Sequence, residues 1–258
     1  MEMVYIKKSI IIQITDNSIY TTNIDRKFIN NIKMNNSKIY TNICGVQHNN
    51  INIDTKHRKV YIIIEGEKIL VKLLTIPRVK KYLMYTTIKN ELIHNFIDVN
   101  EIIFNYRILK ENKNTYEILV FCIKSKKVDF IENIVNKNNI VKINLLQFCI
   151  LDLLKDKIID NNYLLMFNFN MYCYMIIHIE GYVYANHVFA MENESIYMIN
   201  ELMDFINDNR DEVSKVNTLY ISNINETDII EDSIQLKIKN IGMINNEKLF
   251  KYYSDNLR

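Results

Sequence analysis

Only four glycines and a single proline, Pro77, occur among the 258 residues, far below ordinary usage. No P-loop or dinucleotide-binding fingerprint occurs, and no nucleophile-elbow context surrounds any Ser or Cys. Cysteine is sparse as well. Cys44, Cys122, Cys149 and Cys173 lack metal-ligand spacing, and three lie in apolar stretches, which fits buried free thiols in a reducing compartment. Neither sign of charge dominates: 32 basic against 30 acidic residues leave a net +2, which argues against a dedicated nucleic-acid binder with a strongly basic face. A long uninterrupted apolar run is also missing. Ile10-Ile11-Ile12 is too short for the core of a secretory signal, and Thr15-Asp16 breaks the apolar pattern directly after it. The stretch 163–179 contains Asn168 and Asn170, so it fits two buried strands better than a membrane span. A cytoplasmic protein is expected.

A 48% apolar share is enough for a substantial core, in one large domain or two small ones. Ile and Asn together make up roughly a third of the chain, a bias that an AT-rich coding sequence explains without invoking a prion-like segment. Three small basic clusters stand out: Lys56-His57-Arg58-Lys59, Arg78 with Lys80 and Lys81, and Lys124 with Lys126 and Lys127. Each reads as a solvated charge run, with weak attraction to anionic lipid headgroups as the sharper alternative. His48, His57, His94, His178 and His187 are scattered without metal spacing, and His178 and His187 could pair across a hairpin.

Hydrophobic periodicity gives α/β with mixed sheets. Residues 9–24 alternate around a polar turn at 15–18, and a strand is expected over Lys38 to Cys44. The segment from Arg58 to Asn139 reads as one compact unit. It opens with a strand pair, 59–64 and 69–74, joined at Glu65-Gly66 and closed by Pro77. A helical face comes next (Leu83, Met84, Ile88, Leu92, Phe96), then a hairpin turning at 111–114, then a second helix with Val128, Ile131, Ile134 and Val135 inward. Beyond it lie a helix over 145–155, three strands (163–169, 172–179, 182–189) with Gly181 at a tight turn, and a helix from about Ser195. A strand at 218–222, a short helix near 229–234 and a last strand near 238–243 complete the reading.

Within the central unit, Leu74-Thr75-Ile76-Pro77 ends a strand, Glu91 sits in the helix, Asn105-Tyr106 opens the hairpin, and 118–123 leads to Val128. This order resembles the inserted subdomain of the PilM family, actin-like proteins of type IV pilus assembly, a unit shared with the cell-division protein FtsA. The resemblance spans about 80 residues, with weaker correspondence along the rest. It implies an actin-like α/β fold of ribonuclease H-like lobes carrying an inserted α/β subdomain. Residues 1–67 and 141–160 would form the first lobe, 68–140 the insert and 161–258 a reduced second lobe. One distal subdomain would be lacking, because Phe189-Ala190-Met191 runs almost directly into the next helix.

Actin-like folds hold ATP with two Asp-x-Gly hairpins and a Gly-Gly turn, where glycine lets backbone N–H groups approach phosphate and Asp positions metal and water. By the same resemblance, Gln13 stands where the first Asp is expected and Thr15 where the Gly is. Asn168 and Asn170 mark the second hairpin, with bulky Tyr174 where a small Thr is expected, and Asn223 falls at the Gly-Gly turn. Loss of both carboxylates removes the anchor for Mg²⁺-ATP, so no cofactor, no metal and no ATP hydrolysis are expected.

The resemblance therefore implies an adaptor that binds the cytoplasmic N-terminal tail of a single-span PilN-like membrane protein, in a groove beside the insert. The secretion protein GspL is a parallel. Leu74, Phe104, Tyr106 and Ile108 are the expected groove residues. Contact with pilus motor components and self-association stay open, and the protein would be peripheral at the cytoplasmic membrane through its partner. A divergent actin-like ATPase, with Asp16 as its surviving carboxylate, is the alternative, and a self-assembling filament is a third reading.

Overall fold

The computed structural model of the chain describes residues 7–26, 32–40, 53–95, 102–191, 195–225 and 227–256. In order come β1 (Lys7–Ile14), β2 (Ser18–Arg26), β3 (Ile32–Tyr40), β4 (Lys59–Ile64), β5 (Leu70–Pro77), α1 (Met84–Asn95), β6 (Ile103–Glu111), β7 (Thr115–Ile123) and α2 (Lys126–Ile134). Next are β8 (Ile140–Leu145), α3 (Leu146–Leu154), β9 (Asn162–Phe169), β10 (Tyr172–Ile179), β11 (Tyr182–Ala190) and α4 (Ser195–Asp208). The chain continues through α5 (Arg210–Val213), β12 (Thr218–Ser222), α6 (Thr227–Ser233), β13 (Lys237–Asn240) and α7 (Asn246–Asn256).

Two five-stranded sheets share one topology. The first has the order β3-β2-β1-β4-β8 and the second β11-β10-β9-β12-β13. In each, a three-strand antiparallel meander is extended by two strands parallel to its first strand. This repeated order is the two-lobed arrangement that the resemblance implies. Strand parity explains the layers. On β1 and β4, Ile11, Tyr61 and Ile63 point inward to a core shared with α3, α7 and the inner face of the second sheet, including Leu165, Phe167, Tyr174 and Ile176. Their neighbours Ile10, Ile12, Val60 and Ile62 point outward and bury Phe130, Ile131 and Ile134 of α2. The second sheet's outer face packs Leu164, Met166 and Met175 against Met198, Leu202 and Phe205 of α4.

A third sheet, β5-β7-β6, is hydrogen-bonded to neither, with α1 packed on one of its faces through Met84, Ile88 and Leu92. Here the expected unit 58–139 needs correction in two places. The pair 59–64 and 69–74 is not a hairpin: β4 is a central strand between β1 and β8, while β5 pairs with β7 in the other sheet. A strand buried on both faces, as β4 is from Val60 to Ile64, suits a parallel sheet interior. Glu65-Gly66 is thus a crossover, with Gly66 at φ +72°. The second correction concerns α2, which packs on the first sheet rather than on α1's.

Elsewhere the third strand is Ile32–Tyr40 rather than one beginning at Lys38, and Cys44 and Phe96 lie outside the described residues. Cys122, Cys149 and Cys173 are buried and unpaired, and burial pushes the Cys149 thiol up to about 12. Only residues 191 to 194 separate β11 from α4.

Candidate functional site

Parity carries β1 and β4 into the junction between the lobes with two polar side chains. Gln13 continues the inward face of Ile11, and Glu65 continues that of Tyr61 and Ile63. Both are fully buried, so each must find partners there. Gln13 Nε2 donates to the Glu65 carboxyl and to Asn246 Oδ1 at 2.9 Å, at the start of α7. From the β9–β10 turn, Asn170 reaches across and places its Nδ2 2.8 and 3.0 Å from the two Glu65 oxygens. Asn170 has φ +53°, a left-handed conformation that asparagine tolerates.

A cation sits beside this carboxyl. Lys127, in the first turn of α2, is 3% exposed. Its ammonium donates to the Glu65 main-chain carbonyl at 2.5 Å, lies 2.8 Å from Asp16 Oδ1 and 3.3 Å from Glu67 Oε1. Ser125 caps α2, accepting from Lys127 N at 3.2 Å while donating to Glu67 at 2.8 Å. Burial pushes the Glu65 carboxyl up to about 7, against the Asn170 bond and the Lys127 charge, with Asp16 adding to the rise. Gly66 donates its N–H to Tyr174 Oη at 2.8 Å. A Cβ at Gly66 would come within 2.5 Å of the Tyr172 ring.

The sequence-predicted nucleotide positions therefore separate. Gln13 and Asn170 meet on one carboxylate. Thr15 closes its own hairpin, its Oγ1 accepting from Ser18 N at 2.9 Å and Asn17 N at 3.2 Å. Asn168 is paired with Cys173, whose side chain lies in the outer core of the second sheet, so cross-strand neighbourhood puts Asn168 on that face and away from the junction. Asn223, at φ +58°, pins the loop after β12, donating to the carbonyls of Asn168 at 2.7 Å and Ile244 at 2.6 Å and accepting from Ile244 N at 2.9 Å. Beside Asp16, the carboxylate of the alternative ATPase reading, the junction holds three further titratable groups, Glu65, Glu67 and Lys127. Their sequence signal was weak, since an acid beside glycine reads as a turn and a lysine in a basic run as surface.

The groove expected beside the insert also has different walls. Leu74, Phe104, Tyr106 and Ile108 all face α1 inside the small subdomain. Phe104 is buried there and stacks on Tyr85 at 4.5 Å. The opposite face of β6 and β7 instead borders a groove of about 470 Å³, closed by α3 and the β10–β11 turn. Phe121 and Phe148 meet edge to face at 6.0 Å along it, Arg107 lies 5.3 Å from the centre of the Tyr182 ring, and Asn105, Leu151 and Asp152 are also in the wall. Of the four expected residues, Tyr106 alone reaches its rim. His178 and His187 do not pair: His178 stacks on Tyr163 at 4.6 Å, and His187 Nε2 lies 2.6 Å from Glu201.

No protein-family model matches the sequence, and no curated protein does. Solved structures do resemble the fold. The PilM–PilN type IV pilus biogenesis complex is similar at a TM-score of 0.56 and 9% identity over 94% of each chain. The cytoplasmic domain of EpsL, an inner-membrane component of the type II secretion system of Vibrio cholerae, is similar at 0.56 and 7% identity over 98% of this chain and 96% of its own. A Bacteroides thetaiotaomicron protein with an actin-like ATPase fold and unknown function gives 0.54 and 13% over 96% of each chain. With these similarities and the doubled five-strand order, the fold is actin-like.

Proposed function

We infer that this chain is a PilM-like adaptor without ATPase activity, working in a pilus or secretion assembly platform at the cytoplasmic face of a membrane. The observation that carries this reading is the Glu65 bridge. In an actin-like nucleotide cleft the two hairpins must stand apart to admit a phosphate chain. Here Gln13 from the first strand and Asn170 from the second hairpin bind the same carboxylate. Lys127, the cation that could meet a phosphate at this junction, is engaged by Asp16, Glu67 and a main-chain carbonyl.

An adaptor needs a partner site, and the groove along Phe121, Phe148 and Arg107 offers one. It combines an aromatic floor with charged rims, a form suited to an extended peptide that gains register from side-chain pockets. The partner in this reading is the cytoplasmic N-terminal tail of a single-span PilN-like membrane protein, by analogy with the PilM–PilN complex. Two measurements test it. Millimolar Mg²⁺-ATP should leave the melting temperature unchanged, since a ligand that binds only the folded state raises it. A fluorescent peptide from the cytoplasmic tail of a single-span PilN-like protein should bind with saturable anisotropy. A clear ATP-dependent rise in melting temperature, or no peptide binding, would sink the reading.

A further inference from the structure

We propose that the strand-to-helix corner of the three-stranded subdomain, residues 77–93, is a docking surface for an anionic lipid bilayer. Charge distribution is the first support. From residue 77 to residue 93 the chain carries Arg78, Lys80, Lys81 and Lys89 against the single acidic residue Glu91, although its overall totals almost cancel. Lys80 and Lys81 are exposed, and Lys89 is half-buried. Arg78 is shared, pairing with Glu111 at 3.4 Å and lying 5.6 Å from the Tyr116 ring centre. Polybasic surfaces of this kind are drawn to anionic headgroups.

The second support is what stands among the charges. Tyr82 is 73% exposed and Tyr85 56%, and tyrosine, with an apolar ring and a polar tip, favours the headgroup level of a bilayer. Leu83 and Ile93 are exposed beside them. Along α1, Tyr85, Lys89 and Ile93 recur every fourth residue in one outward stripe, beside the buried stripe of Met84, Ile88 and Leu92. A solvated helix face would more often carry charges of both signs and few large apolar groups. Exposed aromatic and aliphatic side chains interspersed with lysines suit contact with a charged bilayer interface. α1 covers the face of the three-stranded sheet opposite the one that borders the groove, so lipid contact and peptide capture use different surfaces.

The test needs no partner protein, so its outcome is separable from that of the adaptor reading. The chain contains no tryptophan, and Tyr82→Trp therefore creates a single, selectively excitable tryptophan at the proposed contact. Vesicles containing phosphatidylglycerol should shift its emission to shorter wavelength, and pure phosphatidylcholine vesicles should not. Ile196→Trp, on α4 of the second lobe, should show no shift with either. In co-sedimentation the wild-type chain should bind the anionic vesicles and be released by high salt. Lys80→Glu combined with Lys81→Glu should weaken binding at least about 20-fold, from the contribution of each basic group near such a surface. Both substitutions are at exposed positions, and the salt titration uses the unmodified chain. Equal binding to neutral vesicles, no binding to anionic ones, or insensitivity to the charge reversal would each overturn the proposal. Capture of polyglutamate without vesicle binding would also overturn it, giving the patch to an acidic protein segment.

Discussion

Asn170 and Glu65 are 105 residues apart, yet the Asn170 amide nitrogen lies within 3.0 Å of both Glu65 carboxyl oxygens. This one contact fastens the turn of the second lobe's meander to the end of β4 in the first lobe. It also fixes the chemistry of the junction. A buried carboxyl is expensive when ionised, and Glu65 responds by holding its proton to about pH 7.

The consequence for stability has a definite sign. Folding raises the Glu65 pKa from 4.5 to about 7, so the native state binds this proton more tightly than the unfolded chain. Its contribution is full below the unfolded value, shrinks as pH rises from 4.5 toward 7, and is lost above that. The shift corresponds to roughly 3 kcal/mol. Glu65→Gln keeps the shape and removes the titration. Urea denaturation from about pH 5.5 to about pH 8 should show the variant gaining on the wild type as pH rises. Parallel stability curves would refute the assignment.

Removing Lys127 should do more harm than altering the carboxyl. Lys127→Met leaves Asp16 and Glu67 without their shared cation and Glu65 O without its donor. Loss of one member of a buried ionic cluster costs about 3–5 kcal/mol, and the same denaturation assay reads it. A loss below about 1 kcal/mol would mean the lysine contributes little there.

Gly66 offers a backbone test of the same corner. Its φ of +72° and the Tyr172 ring 2.5 Å from a would-be Cβ both disfavour a side chain. Gly66→Ala should cost about 2–3 kcal/mol, combining left-handed strain with a clash. Adding Tyr172→Ala should recover the steric part and leave the conformational part. If the single variant melts like the wild type, the crossover is not as tightly held as its contacts imply.

Much of the fold was legible because the strands are long and regular. The β1–β2 hairpin and the meander from β9 to β11 are readable from alternation and from turns at 15–18, 170–171 and 180–181. Less regular pieces escaped. β8, with Val141 and Ile143 exposed at a sheet edge, reads as neither buried nor alternating, and α7 follows so closely on Ile241, Met243 and Ile244 that these read as the end of a strand. The junction was hidden for another reason. Gln13 is legible as a lost carboxylate, but the carboxylate that replaces it comes from Glu65, 52 residues away, and local pattern carries no record of such a contact.

The groove separates packing from capture most directly. Phe104 is 9% exposed and belongs to the core under α1, so Phe104→Ala should cost about 3–5 kcal/mol of subdomain stability through the cavity it leaves. Phe148, by contrast, is half-buried where α3 borders the groove and meets Phe121 at 6.0 Å. Arg107 is exposed on the same wall. Phe148→Ala and Arg107→Glu should leave the chain folded and weaken tail-peptide affinity by about 1–3 kcal/mol each, the scale of an anchoring aromatic or arginine. Melting curves and peptide anisotropy on the three variants distinguish the roles. Weakened capture by a still-folded Phe104→Ala, with both groove variants binding normally, would move the partner site to the α1 face and discard the groove.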